Sequence, residues 1–232
     1  FCVRQDLESS APRGMGVLEP LKVTLVNYDG DGETLIAPWH PQQPDLGERE
    51  LPFSGELVIE REDFSEDPPK KYKRLSPGEM VRLRYAYIIR CDEVVKDDDG
   101  NVVELRCSYD SDTRSGTGTS DRKVKGTIHW VSAAHAVPAT VRLYDRLFTV
   151  PNPNAAEDFM DVLNPDSLET VEAMLEPSLA ELAAGVAVQF ERLGYFTPDE
   201  RDDTAEDRVF NRIVTLRDSW AKIEKQAMQG QN

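Results

Sequence analysis

The sequence predicts an all-β protein built as two small barrels. Three observations carry this. Short runs of alternating apolar and polar residues recur along the chain, at the period of two that a half-buried strand shows. Turn-forming clusters such as Asp29-Gly-Asp-Gly32 and Asp98-Asp-Gly-Asn101 separate them. Helical periodicity is confined to a few short stretches. About nine or ten strands suit two small barrels better than one large one. No repeat with a solenoid or propeller period is visible.

In chain order, Val3 to Ser9 reads as a short helix before the Pro12-Arg-Gly14 break, and 1–16 as a connector from something upstream. Residues 20–27 alternate and are rich in β-branched side chains, so they read as a strand. The proline-rich stretch 37–55 reads as a long loop. Strands follow at 56–60, 80–90, 92–96 and 102–109, the last two joined by the turn at 98–101. Residues 110–121, rich in Ser, Thr, Gly and Asp, read as an exposed loop. Strands resume at 123–131 and 139–149. After Pro151-Asn-Pro-Asn154 a short helix is expected at 155–163, with 166–170 irregular. Residues 187–196 and 209–216 read as strands with an acidic loop between them, and 221–232 as helical or frayed. The resulting division is a connector over 1–16, a first barrel over 17–137, a second over 138–220 and a tail over 221–232.

The chain has 232 residues, 39% of them hydrophobic and 30% charged, enough to bury a core. No apolar run is long enough to cross a membrane as a helix. The start at Phe1, with no initiator Met and no signal-peptide layout, suggests a fragment. Cys2, Cys91 and Cys107 are widely spaced, which fits a reducing cytoplasm and gives no zinc pattern. His129 and His135 match no zinc spacing either. Asp29-Gly-Asp-Gly-Glu33 is better read as a turn than as a calcium loop, since Trp39 and His40 stand where a bidentate Glu is needed. No P-loop, GxGxxG or GxSxG motif occurs. The chain alone carries no active site, and its own residues imply no cofactor or metal.

A net charge of −16 argues at first against a nucleic-acid partner. The charge is segregated, however. Between Pro68 and Arg90 stand Lys70, Lys71, Lys73, Arg74, Arg82, Arg84 and Arg90 against a single acid, Glu79. On a strand over 80–90, Arg82 and Arg84 share one face with their guanidiniums about 7 Å apart, able to grip phosphates or base edges. Tyr72, Tyr85 and Tyr87 lie among these charges, where stacking on unpaired bases is the expected use. The competing reading is a solvated barrel face offset by Glu60, Glu62 and Asp63.

Whole segments sharpen this. Arg13-Gly-Met-Gly-Val-Leu-Glu-Pro-Leu-Lys-Val23, Pro52-Phe-Ser-Gly-Glu-Leu-Val-Ile-Glu-Arg-Glu-Asp-Phe64 and Lys71-Tyr-Lys-Arg-Leu75 resemble the anticodon-binding region of glutaminyl-tRNA synthetases. So do Lys123-Val-Lys-Gly-Thr-Ile-His-Trp-Val-Ser-Ala-Ala-His135, Leu143-Tyr-Asp-Arg-Leu-Phe-Thr-Val-Pro-Asn-Pro153, Gln189-Phe-Glu-Arg-Leu-Gly-Tyr-Phe196 and Phe210-Asn-Arg-Ile-Val-Thr-Leu-Arg-Asp-Ser-Trp220. The segments run in family order over nearly the whole chain.

The resemblance implies two β-barrels of the ribosomal protein L25-like type. They are part of a monomeric, cytoplasmic class I enzyme that joins glutamine to its tRNA with ATP and Mg²⁺. The family's ATP-site signatures are absent here, so this piece alone should be inactive. The resemblance places anticodon contacts on Arg49, Lys73, Arg74, Arg82, Arg84, Gln189, Arg192 and Arg217, with Lys70, Lys71 and Tyr72 as further candidates. Gln189 offers both a donor and an acceptor, which suits a uridine edge. Two alternatives stay open: a free-standing L25-like RNA-binding module, and the equivalent region of a glutamyl-tRNA synthetase.

Overall fold

The computed structural model describes residues 2–118 and 121–216. Two seven-stranded sheets and a two-stranded ribbon make up the strand structure. The first sheet runs, in spatial order, Thr127–Ile128, Met80–Leu83, Ile88–Lys96, Val102–Asp110, Pro20–Leu25, Glu56–Glu60 and Val131–Ser132. Its two edge strands are neighbours in the chain, separated only by His129 and Trp130. The sheet therefore curls until its edges meet, which removes exposed edges. Trp130 sits at the closure, 1% exposed, with its indole N–H donating to the Arg84 carbonyl at 2.9 Å. Phe53 and Tyr87 pack edge-on or tilted around it with Tyr28 and Tyr109.

The second sheet closes by the same device. Its order is Arg13–Gly14, Val188–Phe190, Gly194–Pro198, Arg208–Thr215, Val137–Tyr144, Leu168–Leu175 and Gly16–Val17. Both edges flank one residue, Met15, itself 1% exposed. A Cβ on Gly14 would stand 2.4 Å from Leu179 Cδ2, so the chain needs glycine to lie this close to the core. Phe190 and Phe196 stack at 4.1 Å, with Phe210 against them.

Several expectations are revised. Within the expected connector 1–16, Arg13, Gly14 and Gly16 are in strands of the second sheet, and Val17, expected in the first barrel, pairs there too; two-residue strands are too short to show a period. The loop expected over 37–55 holds a ribbon, Glu33–Pro38 paired with Glu48–Phe53. Its prolines obscured the alternation, yet an isolated ribbon accepts them at its edges. The expected helix at 155–163 is two 3-10 turns, Pro153–Ala155 and Phe159–Val162. Leu168–Leu175 is a full strand although Leu, Glu, Ala and Met favour helix, because pairing with Val137–Tyr144 along its whole length decides the outcome. The strand expected at 187–196 is two, Val188–Phe190 and Gly194–Pro198. That expected over 80–90 is also split, at a turn over 84–87, and 123–126 lies outside any strand. The expectation for 221–232 lies outside the described residues.

Buried carboxylates fix the chain where it passes between the sheets. Glu60, 4% exposed, accepts the backbone N–H groups of Leu18 at 2.6 Å and Glu19 at 3.2 Å. Glu176 accepts that of Met15 at 3.0 Å.

Candidate nucleic-acid interface

The turn after Met80–Leu83 changes the geometry expected of the arginines. Tyr85 adopts a left-handed φ of 63°, so Arg82 stays on the strand while Arg84 lies in the turn. They do not form a two-residue row on one sheet face. Arg82 folds over the following loop, donating from Nη1 to the Thr113 carbonyl at 2.8 Å. Arg84 instead crosses to the second sheet, where its Nε contacts Glu191. Its guanidinium also covers the Tyr85 ring at 4.9 Å.

Glu191 is 2% exposed and gathers a second arginine. Arg49 reaches it at 3.2 Å through Nη2 and reaches Glu176 at 2.5 Å through Nε. Its Nη1 donates to the Pro38 carbonyl. Burial opposes the charge on Arg49, but Glu176 and Glu191 more than offset it and hold its pKa above the ordinary value. Burial pushes the Glu176 carboxyl up, against the pull of Arg49. The Arg49 side chain is 1% exposed, so in this arrangement it ties the ribbon strand Glu48–Phe53 to the carboxylates beside the second sheet and presents nothing to RNA.

Asp63, fully buried, is the second gathering point. Arg192, at φ 72°, grips it bidentately, with Nη2 at 2.6 Å. Nη1 of Arg192 also meets His129 Nδ1 at 3.0 Å. Arg74 approaches Asp63 from the other side at 3.1 Å and also binds Glu62. Burial disfavours the Arg192 charge, yet the pairing with Asp63 keeps its pKa raised. Both guanidiniums remain partly open, 25% for Arg192 and 35% for Arg74. They line a cleft of about 530 Å³ together with Glu62, His129, Leu193, Thr215 and Leu216. That size lies in the range of small-ligand pockets.

Outward from Arg74 the lysines stand differently. Lys70, Lys71 and Lys73 are exposed, and among the described residues none has an ion-pair partner. Lys71 has a left-handed φ of 71°. Tyr72 is half-buried and tied down, its hydroxyl donating to the Glu62 carbonyl at 3.1 Å. Tyr87 is a correction: it is 6% exposed, donates to Glu33 at 2.7 Å and cannot stack on a base. Gln189 is 5% exposed; its amide donates to the Tyr195 hydroxyl at 2.9 Å. That hydroxyl in turn donates to Glu8 at 2.6 Å. Arg217 lies outside the described residues.

Arg49, Arg74, Arg84 and Arg192 are thus held at the junction of the sheets by Asp63, Glu176 and Glu191, Gln189 sits against Tyr195 and the helix Cys2–Ser10, and Arg82 and the lysines lie outside the junction. The sequence reading counted Glu62 and Asp63 only as solvated counter-charges and did not single out Glu176 or Glu191. Glu191 had a signal: it is an acid set between Phe190 and Leu193, in a run otherwise destined for the core. Asp63 had none, because it sits in an acidic stretch that reads as solvated.

Similarity to known proteins fits this arrangement. A family model described as "tRNA synthetases class I (E and Q), anti-codon binding domain" matches residues 11–110, and a second with the same description matches 127–199. Over 222 residues the chain is 54% identical to proteins named glutamine–tRNA ligase from Escherichia coli O157:H7 and from Shigella boydii serotype 18. The alignment covers 96% of this chain and 40% of each relative's length.

Proposed function

This chain belongs to the anticodon-binding family of class I tRNA synthetases for glutamate and glutamine, and from that premise we propose that it reads the anticodon of a glutamine tRNA. The observation that carries the reading is the cleft at the sheet junction, where Arg74 and Arg192 are fixed on Asp63 yet stay partly exposed. Preorganised forked donors suit base edges, and unpaired anticodon bases expose such edges. Arg84 and Arg82 extend the surface on one side, and Lys70, Lys71, Lys73 and Tyr72 extend it on the other. Arg49 and Gln189 act from within, by holding the sheets and the helix Cys2–Ser10 in register.

The relatives' names favour glutamine over glutamate as the parent's amino acid. The joining reaction, with its ATP and Mg²⁺, is then the work of the part of those relatives that this chain does not align with. The parent acts as a cytoplasmic monomer in this reading. Among the described residues no helix is long and apolar enough to cross a membrane.

The test is a binding titration of the chain against glutamine tRNA transcripts with altered anticodons. Each replaced base that meets a good bidentate contact should cost about 1–3 kcal/mol. Equal affinity for every anticodon overturns the proposal.

A further inference from the structure

A second basic loop lies against the first. Gly126 passes so near the 70–74 loop that a Cβ on it would stand 1.7 Å from the Lys73 carbonyl oxygen. Its own carbonyl accepts the Arg82 N–H at 3.0 Å, so the approach is part of the first barrel's framework. The three residues Arg122, Lys123 and Lys125 arrive with it. With Gly78, Glu79, Met80 and Val124 they line an open cleft of about 480 Å³.

The charges in this cleft are lightly held. Arg122 pairs with Asp110 at 2.7 Å and Lys125 with Glu79 at 3.0 Å, every partner being more than a third exposed. Such surface pairs are worth about 0–1 kcal/mol and exchange readily for another anion. Lys123 is exposed and has no ion pair among the described residues. Among the described residues no aromatic ring lines the cleft, so none of them could stack a base there. Compact ammonium charges instead suit phosphate oxygens.

We propose that Lys123 and Lys125, with Arg122 beside them, form a phosphate-gripping subsite for the RNA backbone. It is continuous with Lys70, Lys71 and Lys73 and separate from the base-reading cleft. The proposal rests on the reading of this chain as an anticodon binder and deepens it. The bases enter the Arg74–Arg192 cleft, while the strand leading to or from them runs over Lys73 and across the 122–126 loop. It also resolves the charge problem: a protein of net charge −16 can hold a polyanion if its unpaired and weakly paired cations are gathered along one track.

The experiment compares the chain with a Lys123→Ala/Lys125→Ala variant. Fluorescence anisotropy gives affinity for glutamine tRNA transcripts with native and altered anticodons, at several salt concentrations from about 50 to about 200 mM. The variant should bind every transcript more weakly by the same factor. The slope of log affinity against log salt should shrink by roughly 1.5, since each lost phosphate contact removes about 0.7–0.9. Lys123→Arg/Lys125→Arg should restore the slope, which a merely structural role for the lysines does not predict. An unchanged slope, or a loss confined to the native anticodon, overturns the subsite. Should the unaltered chain bind all anticodons equally while the variant still loses slope, the subsite stands and the anticodon reading falls.

Discussion

Arg49 and Lys73 carry the same charge about two dozen residues apart and are used in opposite ways. Arg49 is sealed between two carboxylates at the sheet junction. Lys73 stands in solvent on a loop with no ion-pair partner among the described residues. The difference follows from the head groups. A guanidinium is planar and weakly hydrated and can satisfy several acceptors at once, so it survives burial when they surround it. An ammonium is strongly hydrated, and a rim position costs it nothing. Arginines therefore organise the junction, the lysines are left to the solvent where the proposed polyanion would meet them, and Arg74 and Arg192 are intermediate, both held on Asp63 and both partly exposed.

The largest expected effect breaks the buried half of this comparison. Arg49→Ala leaves Glu176 and Glu191 without their common partner, and removing one member of a buried ion pair costs about 3–5 kcal/mol. Urea unfolding should show the extrapolated unfolding free energy falling by that amount, with the midpoint moving down in proportion. Arg49→Lys should recover little, because one ammonium cannot reach Glu176, Glu191 and the Pro38 carbonyl together. A loss under about 1 kcal/mol would mean that the junction holds without this arginine.

The fold was legible where strands were long and alternating, as over 20–27, 56–60 and 102–109. It was not legible where pairing partners overrode local preference. Leu168–Leu175 has a helix former's composition, and the edge strands at Arg13–Gly14 and Gly16–Val17 exist only because the sheet closes on them. The candidate site divides in the same way. Composition and spacing found the lysines, because solvated charge shows itself in a run. The resemblance to a family found Arg49, Gln189 and Arg192, but no sequence pattern shows that Arg49 and Arg192 are gathered by Glu176, Glu191 and Asp63 or that Gln189 is held by Tyr195. That convergence depends on pairing residues 127 to 142 positions apart, which no local window contains. The paired use of Arg82 and Arg84 failed for a local reason, the left-handed turn at Tyr85.

A smaller effect tests the exposed half. Lys73→Ala removes a charge that touches no acid, so stability should change by less than about 0.5 kcal/mol. Affinity for tRNA should fall uniformly across anticodon variants, with the salt slope reduced by about 0.7–0.9. If unfolding shifted as far for Lys73→Ala as for Arg49→Ala, the division between organising arginines and binding lysines would fail.

The smallest effect concerns a carboxylate that is neither sealed nor free. Glu8, on the helix Cys2–Ser10, is 59% exposed in its side chain and pairs with Arg13 at 2.7 Å. Its pKa is held below its ordinary 4.5, first by the hydrogen bond from Tyr195 and then by the charge of Arg13. A carboxyl lowered in the folded state adds stability that is fully present above its unfolded value and is lost as pH falls through the folded one. Glu8→Gln should therefore be less stable than the unaltered chain at neutral pH by about 0.5 kcal/mol, the screened value for an exposed pair. The gap should narrow as the pH drops below about 4.5 and close once it has passed the lowered folded value, when both carry an uncharged side chain. Denaturant unfolding of the two proteins at stepped pH measures it. A gap that stays constant into acid would assign the helix's docking to contacts other than the Glu8 charge. Arg49 shows no such acid dependence of its own, since its guanidinium keeps its proton throughout the range; any acid sensitivity at the junction has to come from the carboxylates that hold it.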